Sequence, residues 1–308
     1  VELQAALAAA APGDTLRVPA GRYSVNLFID RPVTLLAVGQ VVLDGAQRGS
    51  VVRVDAAAGP VRLVGLTLVG GTADEAGGGL HVADGQVDLE DCTLRFNKAP
   101  QYGGGGLFVG GGQVTATRCR IEANTGRQGG GVLVDGTGAL VLRDSTVIQN
   151  AAVDGGGLRV KEGASATLVG CTVADNKVLG EAARGGAVSL AGSSTRRPSL
   201  ELRHSVVSER QPGPACVFNA SPFPGALSLV NNVLPPWCAA LGGDNRFAAA
   251  GFTGAGAEPY LLSDDSPARG LGVAGELGAK DVRGAPRDTP PSLGAFAWVK
   301  ASSTPLPY

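Results

Sequence analysis

Methionine is missing from all 308 residues, histidine occurs only twice, and aromatic side chains make up just 5% of the chain. Charge is sparse as well, at 17% of residues, and it nearly cancels: 26 Lys and Arg face 27 Asp and Glu for a net −1. With neither a basic stripe to grip phosphates nor an acidic tail, nucleic acid is excluded as the expected partner. No apolar run reaches the roughly 18 residues of a membrane helix, because glycine or charge interrupts every candidate, so the chain is not expected to span a membrane. Five cysteines are too few for a disulfide scaffold. None form a Cys-x-x-Cys pair suited to zinc or redox work, so no metal or cofactor is expected. The chain opens on Val1 rather than methionine, so Val1 is expected to be either a processed end or the edge of an excised segment.

Glycine, by contrast, is abundant: 48 residues, about twice the usual share of roughly 7%. The glycines are ordered. Gly77-Gly78-Gly79-Leu80, Gly104-Gly105-Gly106-Leu107, Gly129-Gly130-Gly131-Val132 and Gly155-Gly156-Gly157-Leu158 recur, with Gly185-Gly186-Ala187-Val188 as an altered fifth copy. A second marker, aliphatic-x-x-Asn, ends at Asn97, Asn124, Asn150 and Asn176. Both markers repeat at about 26 residues, which identifies a repeat architecture before any single element is assigned.

Alignment on these markers gives four apolar columns, each alternating with polar residues as in strands with one buried face. One runs Val61, Val87, Val114, Leu140, Ala166, Leu200; the next, two residues on, runs Leu63, Leu89, Ala116, Leu142, Leu168, Leu202. The third is Leu66, Cys92, Cys119, Ser145, Cys171, Ser205 and the fourth Leu68, Leu94, Ile121, Val147, Val173, Val207. Between the second and third columns the phase slips by one residue, so the strand must bend there. The residue at the slip is Gly65, Asp91, Arg118, Asp144, Gly170 or His204. Most of these turn corners readily in a left-handed backbone, with Arg118 and His204 the poorer fits. A further short strand follows each glycine run. Three strands in about 26 residues leave no room for a helix, which excludes leucine-rich and βαβ repeats and leaves a parallel β-coil of stacked identical columns. Ahead of the coil, Leu3, Ala6, Leu7 and Ala10 have helical spacing and Pro12-Gly13-Asp14 ends the helix; it is expected to cover the first turn's open edge. The expected layout is a β-helix with its cap over residues 1–240 and an irregular C-terminal capping segment over 241–308.

The Gly-Gly-x-aliphatic and aliphatic-x-x-Asn motifs of residues 77 to about 190 resemble the repeats of polymorphic outer-membrane proteins. The opening Leu3-Gln4-Ala5-Ala6-Leu7 through Tyr23 resembles the start of pectate-lyase-like proteins. The tail, from Leu262-Ser263 and Ser266-Pro267-Ala268 to Pro291-Ser292-Leu293-Gly294-Ala295-Phe296, is similar to the end of the choice-of-anchor Q group. These resemblances imply an all-β, right-handed parallel β-helix (solenoid) that is secreted or displayed at the cell surface of a bacterial envelope. They do not imply a reaction, because the fold carries enzymes, adhesins and stalks alike.

The candidate sites lie on the loops between each asparagine and the next glycine run, one edge of the coil. Phe96, Lys98, Tyr102, Arg127, Lys177 and Arg184 combine exposed rings with cations, which suits a surface glycan or another extracellular protein: rings stack on sugar C–H surface and guanidinium groups pair with oxyanions. The leading expectation is therefore an adhesin-like structural or recognition protein without catalysis. The alternative is a polysaccharide lyase or glycoside hydrolase acting on acidic polysaccharide through Asp154, Asp175 or Glu181, with Arg159 or Arg184. Against it, the Asn-Thr-Asp and Gly-His-Gly segments of polygalacturonases are missing, no Gly-x-Ser-x-Gly elbow is present, and the acids Asp264-Asp265 read as turn chemistry. His81 and His204 occupy an outward slot and a corner. Cys92, Cys119 and Cys171 fit as buried apolar residues, whereas Cys216 and Cys238 flank a loop rich in aromatics and proline and are expected to form a disulfide.

Overall fold

The structure, a computed structural model, describes residues 2–180, 185–209, 217–219, 226–254 and 258–298. Its body is a parallel β-helix in which one turn is built from Gln113–Thr117, Arg120–Glu122, Thr125–Gln128 and Val132–Val134. Each strand pairs in parallel with its counterparts one repeat before and after. The columns seen in the sequence are the interior. Leu16, Leu35, Leu63, Leu89, Ala116, Leu142, Leu168, Leu202 and Leu229 lie in unbroken register up the stack. Cys92, Cys119, Ser145, Cys171 and Ser205 are all at most 1% exposed, so they stack at one depth. Serine is tolerated there because its hydroxyl is satisfied: Ser145 Oγ accepts the Cys119 N–H at 2.9 Å and donates to the Arg143 carbonyl at 2.7 Å.

The phase slip is a corner in every repeat. Gly65, Asp91, Arg118, Asp144, Gly170, His204 and Asn231 all have φ between 49° and 71°. Arg118 and His204, the poor fits by residue type, adopt the same left-handed conformation because the register above and below dictates it; their side chains are anchored, Arg118 to Glu90 and Asp91, His204 to Glu276 and Asn231.

The asparagine marker is a buried ladder. Asn124 donates from Nδ2 to the Leu94 carbonyl (2.9 Å), while its Oδ1 accepts from both the backbone and side-chain nitrogens of Asn97 (3.0 and 3.1 Å). Asn150 and Asn176 repeat the pattern one and two turns on. Each amide thus closes a corner whose backbone groups have no sheet partner. The three glycines that follow serve separate needs. In the run Gly104-Gly105-Gly106, the first takes φ 65°. A Cβ on the second would fall 2.4 Å from the Thr125 carbonyl oxygen, and one on the third 2.8 Å from Asn124 Nδ2. The middle position is glycine because a small four-stranded sheet, Lys98–Gly103, Thr125–Gln128, Ala151–Ala152 and Lys177–Val178, lies directly against it.

Two elements finish the body. Helix α1 (Glu2–Ala9) buries Leu3 and Leu7 against the first turn, and Gln4 exchanges hydrogen bonds with the Phe28 backbone (3.1 and 3.4 Å), covering an open strand edge as expected. At the other end, Arg246–Phe247 adds a last strand beside Val233–Leu234. Residues 258–298, placed from sequence in the C-terminal cap, run along the flank of the stack as a strap. The strap meets Arg120 through Glu258, Asp144 through Arg287, Thr172 through Ala295, His204 through Glu276 and Asn231 through Leu271. Tyr260, Val282, Ala295 and Phe296 bury Ile148 and Ala174, the outward side chains of two turns.

Removing one ladder amide strands several buried groups of the preceding turn at once: for Asn124, the Leu94 carbonyl and the backbone and side-chain N–H groups of Asn97. Asn124→Ala is expected to cost at least about 2 kcal/mol, read as a lowered urea midpoint with an unchanged m-value. Substitution of Arg127, exposed on the next strand, is expected to shift it by less than about 0.5 kcal/mol.

Candidate binding face

The loop edge divides the sequence-nominated residues into two groups. Lys98, Thr125, Ala151 and Lys177 form one row of the small sheet, so Lys98 and Lys177 stand three rungs, or about 14 Å, apart. Arg127 is exposed on the same sheet. Phe96 sits at the left-handed corner before Asn97 with φ 55°. It is 60% exposed, with the Arg95 guanidinium 5.6 Å from its ring centroid. Arg184 and Glu181 lie outside the described residues.

Tyr102 belongs to the other group. From the end of Lys98–Gly103 it turns off the edge and lies over the neighbouring sheet, where its hydroxyl donates to Asp135 Oδ2 at 2.6 Å. Lys161 reaches the same carboxylate oxygen at 3.0 Å and stands 4.6 Å from the Tyr102 ring centroid. Phe108 packs edge-on to Tyr102 at 6.1 Å and lies 4.9 Å from His81. The Tyr102 ring, 39% exposed, is thereby fixed by a carboxylate at its hydroxyl and an ammonium over one face, with little rotamer freedom left to lose when a ligand arrives. Asp135, Lys161 and Phe108 were not nominated from sequence. A signal existed, since Asp135 and Lys161 are an opposite-charge pair one repeat apart, each just after a third strand.

Those residues nominated for catalysis that the structure describes, Asp154, Asp175 and Arg159, are engaged by other side chains. Asp154 and Arg159 pair with each other, and Arg159, 8% exposed, also reaches Ser189 Oγ at 3.3 Å. Asp175 accepts the Tyr260 hydroxyl at 2.9 Å on the strap side. His81 is buried under its loop with Nδ1 2.8 Å from the Ala76 carbonyl, and burial holds its pKa below the usual imidazole value. The column cysteines are free thiols, and burial pushes Cys171 up to about 12, far from a reactive thiolate. Of the expected disulfide, Cys238 is buried and Cys216 lies outside the described residues. Among the described residues no group of three His, Cys, Asp or Glu side chains converges on a cation position, and no helix is long and apolar enough to cross a membrane.

One buried acid was not anticipated. Past Asn176 the amide ladder ends on Glu209, whose carboxyl accepts from the Asn176 backbone and side chain; burial, with the charge of Asp175 adding to it, pushes its pKa up to about 8. Its Oε1 is buried without a partner.

A parallel coil with an internal amide ladder, corner glycines and a loop edge for display defines a solenoid scaffold. Residues 58–234, more than half of the chain, match the family described as right handed beta helix region. The chain belongs to that family and is a right-handed β-helix. The crystal structure of pectate lyase Pel9A is similar to it, with a TM-score of 0.48 and 14% identity over 96% of this chain and 90% of that one. No curated protein matches the sequence.

Because Glu209 titrates higher in the folded chain than its ordinary value of 4.5, its contribution to stability is complete below about pH 4.5 and is lost as pH rises toward 8. Glu209→Gln keeps an acceptor for Asn176 and removes the titration. In thermal melts across this window, the wild-type midpoint is expected to fall with rising pH relative to the variant, which should be the more stable of the two at pH 8.

Proposed function

We propose that this β-helix is a secreted or cell-surface recognition protein that binds glycan through the loop edge and the Tyr102 platform, without chemistry of its own. One observation carries the reading: Tyr102 presents a ring face held rigid by Asp135 and Lys161. Such a platform matches the C–H face of a sugar, and the adjacent cation suits its hydroxyl or carboxylate groups. Phe96, Lys98, Arg127 and Lys177 extend the same chemistry along the edge over several rungs, a length suited to an extended glycan rather than a compact ligand. The engagement of Asp154 by Arg159 and of Asp175 by Tyr260 supports binding over hydrolysis. A glycosidase needs one carboxyl free to protonate the leaving group and a second facing it about 5–10 Å away.

Titration against a panel of neutral and uronate-containing oligosaccharides tests this. Binding of at least one is expected, weakened at least tenfold (about 1.4 kcal/mol) by Tyr102→Ala and less by Lys98→Ala. Release of new reducing or unsaturated ends from uronate polysaccharides would instead establish the lyase or hydrolase alternative. Export also requires oxidised cysteines to be tolerated. Peptide mapping without reductant is expected to recover Cys216 linked to Cys238, with Cys92, Cys119 and Cys171 alkylated only after unfolding; a free thiol at Cys238 would refute the pairing.

A further inference from the structure

A trough separates the strap from the corner column of the stack, on a different flank from the Tyr102 platform. It consists of two adjoining hollows of about 330 and 390 Å³, with Arg118 and Lys280 lining both. Arg120 and Arg283 line the first hollow and Arg143 the second. Five cations thus line the trough, beside the three acids Asp91, Asp144 and Glu276.

Two kinds of cation are present. Arg118, Arg120 and Arg283 are each anchored by carboxylates: Arg118 by Nε and Nη2 to Asp91 and Glu90, Arg120 by both terminal nitrogens to Glu258, and Arg283 by Nε and Nη2 to Asp281. These bonds fix the guanidinium planes yet leave Nη1 of Arg118, Nε of Arg120 and Nη1 of Arg283 without a side-chain acceptor among the described residues. Lys280 and Arg143 are exposed and have no acidic partner among the described residues, so their charge is uncompensated. The acids that line the trough are committed: Asp91 to Arg118, Asp144 to Arg287 and Glu276 to His204. Fixed donors with spare N–H groups, set beside exposed cations without acidic partners in a concave wall, have the composition of an oxyanion site. Neither half is sufficient alone, because the stack supplies Arg118, Arg120 and Arg143 and the strap supplies Lys280 and Arg283.

We propose that this trough binds a small molecule or sugar unit bearing an oxyanion, a carboxylate or a sulfate or phosphate group, held between Lys280, Arg143 and the free edge of Arg118. Because the ligand bridges stack and strap, binding also ties the strap down.

Calorimetric titration of the full chain with galacturonate, inorganic sulfate and inorganic phosphate at low ionic strength tests the proposal. At least one probe is expected to bind saturably and to raise the melting temperature. Affinity should fall at least tenfold in the double variant Arg143→Ala/Lys280→Ala and be unchanged in Arg17→Ala, at an exposed position of the first turn outside both sites. Tighter binding of galacturonate identifies a sugar carboxylate as the ligand chemistry; tighter binding of sulfate or phosphate identifies a tetrahedral oxyanion. The single variant Lys280→Gln, at an exposed position, supplies the same comparison if the double variant does not fold. The proposal is overturned if none of the three probes saturates, if affinity survives in both the double variant and Lys280→Gln, or if Arg17→Ala lowers it equally. Loss of glycan binding in Tyr102→Ala leaves this result untouched, so the two sites succeed or fail separately.

Discussion

The molecule depends on register between successive turns. A strand of three residues such as Arg120–Glu122 has too few hydrogen bonds to exist alone; it persists because identical strands lie above and below it at about 4.8 Å. The constraint explains why side-chain identity is relaxed in some positions and rigid in others. The third column accepts leucine, cysteine or serine, and where it is serine the hydroxyl is bonded. The asparagine position accepts nothing else over four turns, because only a side-chain amide can donate to a carbonyl of the preceding turn while accepting from an N–H of that same turn, as Asn124 does with Leu94 and Asn97.

Much of this was legible in the sequence because the repeat brings equivalent residues into contact. Period-2 alternation gave the columns, the phase slip gave the corner, and the glycine runs marked close approach. What stayed hidden was any contact between residues that are not repeat-equivalents. The strap is irregular, with its strand content limited to isolated bridges at Phe252–Leu262 and Lys280–Pro286, so nothing in its periodicity says that it lies along the flank. Tyr102 looked like one more loop-edge aromatic. Its partners Asp135 and Lys161 are 33 and 59 residues away, and only the folded geometry turns it toward them. Glu209 escaped notice because it ends the ladder with a different chemical group from the one that builds it.

Function divides along the same line. The stack is a carrier whose surface chemistry is set by what its outward positions hold, and those positions are free of the packing constraint that fixes the inward ones. The Tyr102 platform and the trough under the strap both exploit that freedom, the first within neighbouring turns and the second between the stack and a segment more than a hundred residues later.

The strap's attachments have a mechanical meaning. A bare solenoid pulled along its axis opens one turn at a time, each rupture loading only the next. Here Arg120, Asp144, Thr172, His204 and Asn231, on five successive turns, are all fastened to the same lateral segment. Axial force is therefore shared across those fastenings in shear, and the carboxy-terminal half of the rod resists stretching as one block while its amino-terminal turns, which the strap does not reach, yield first.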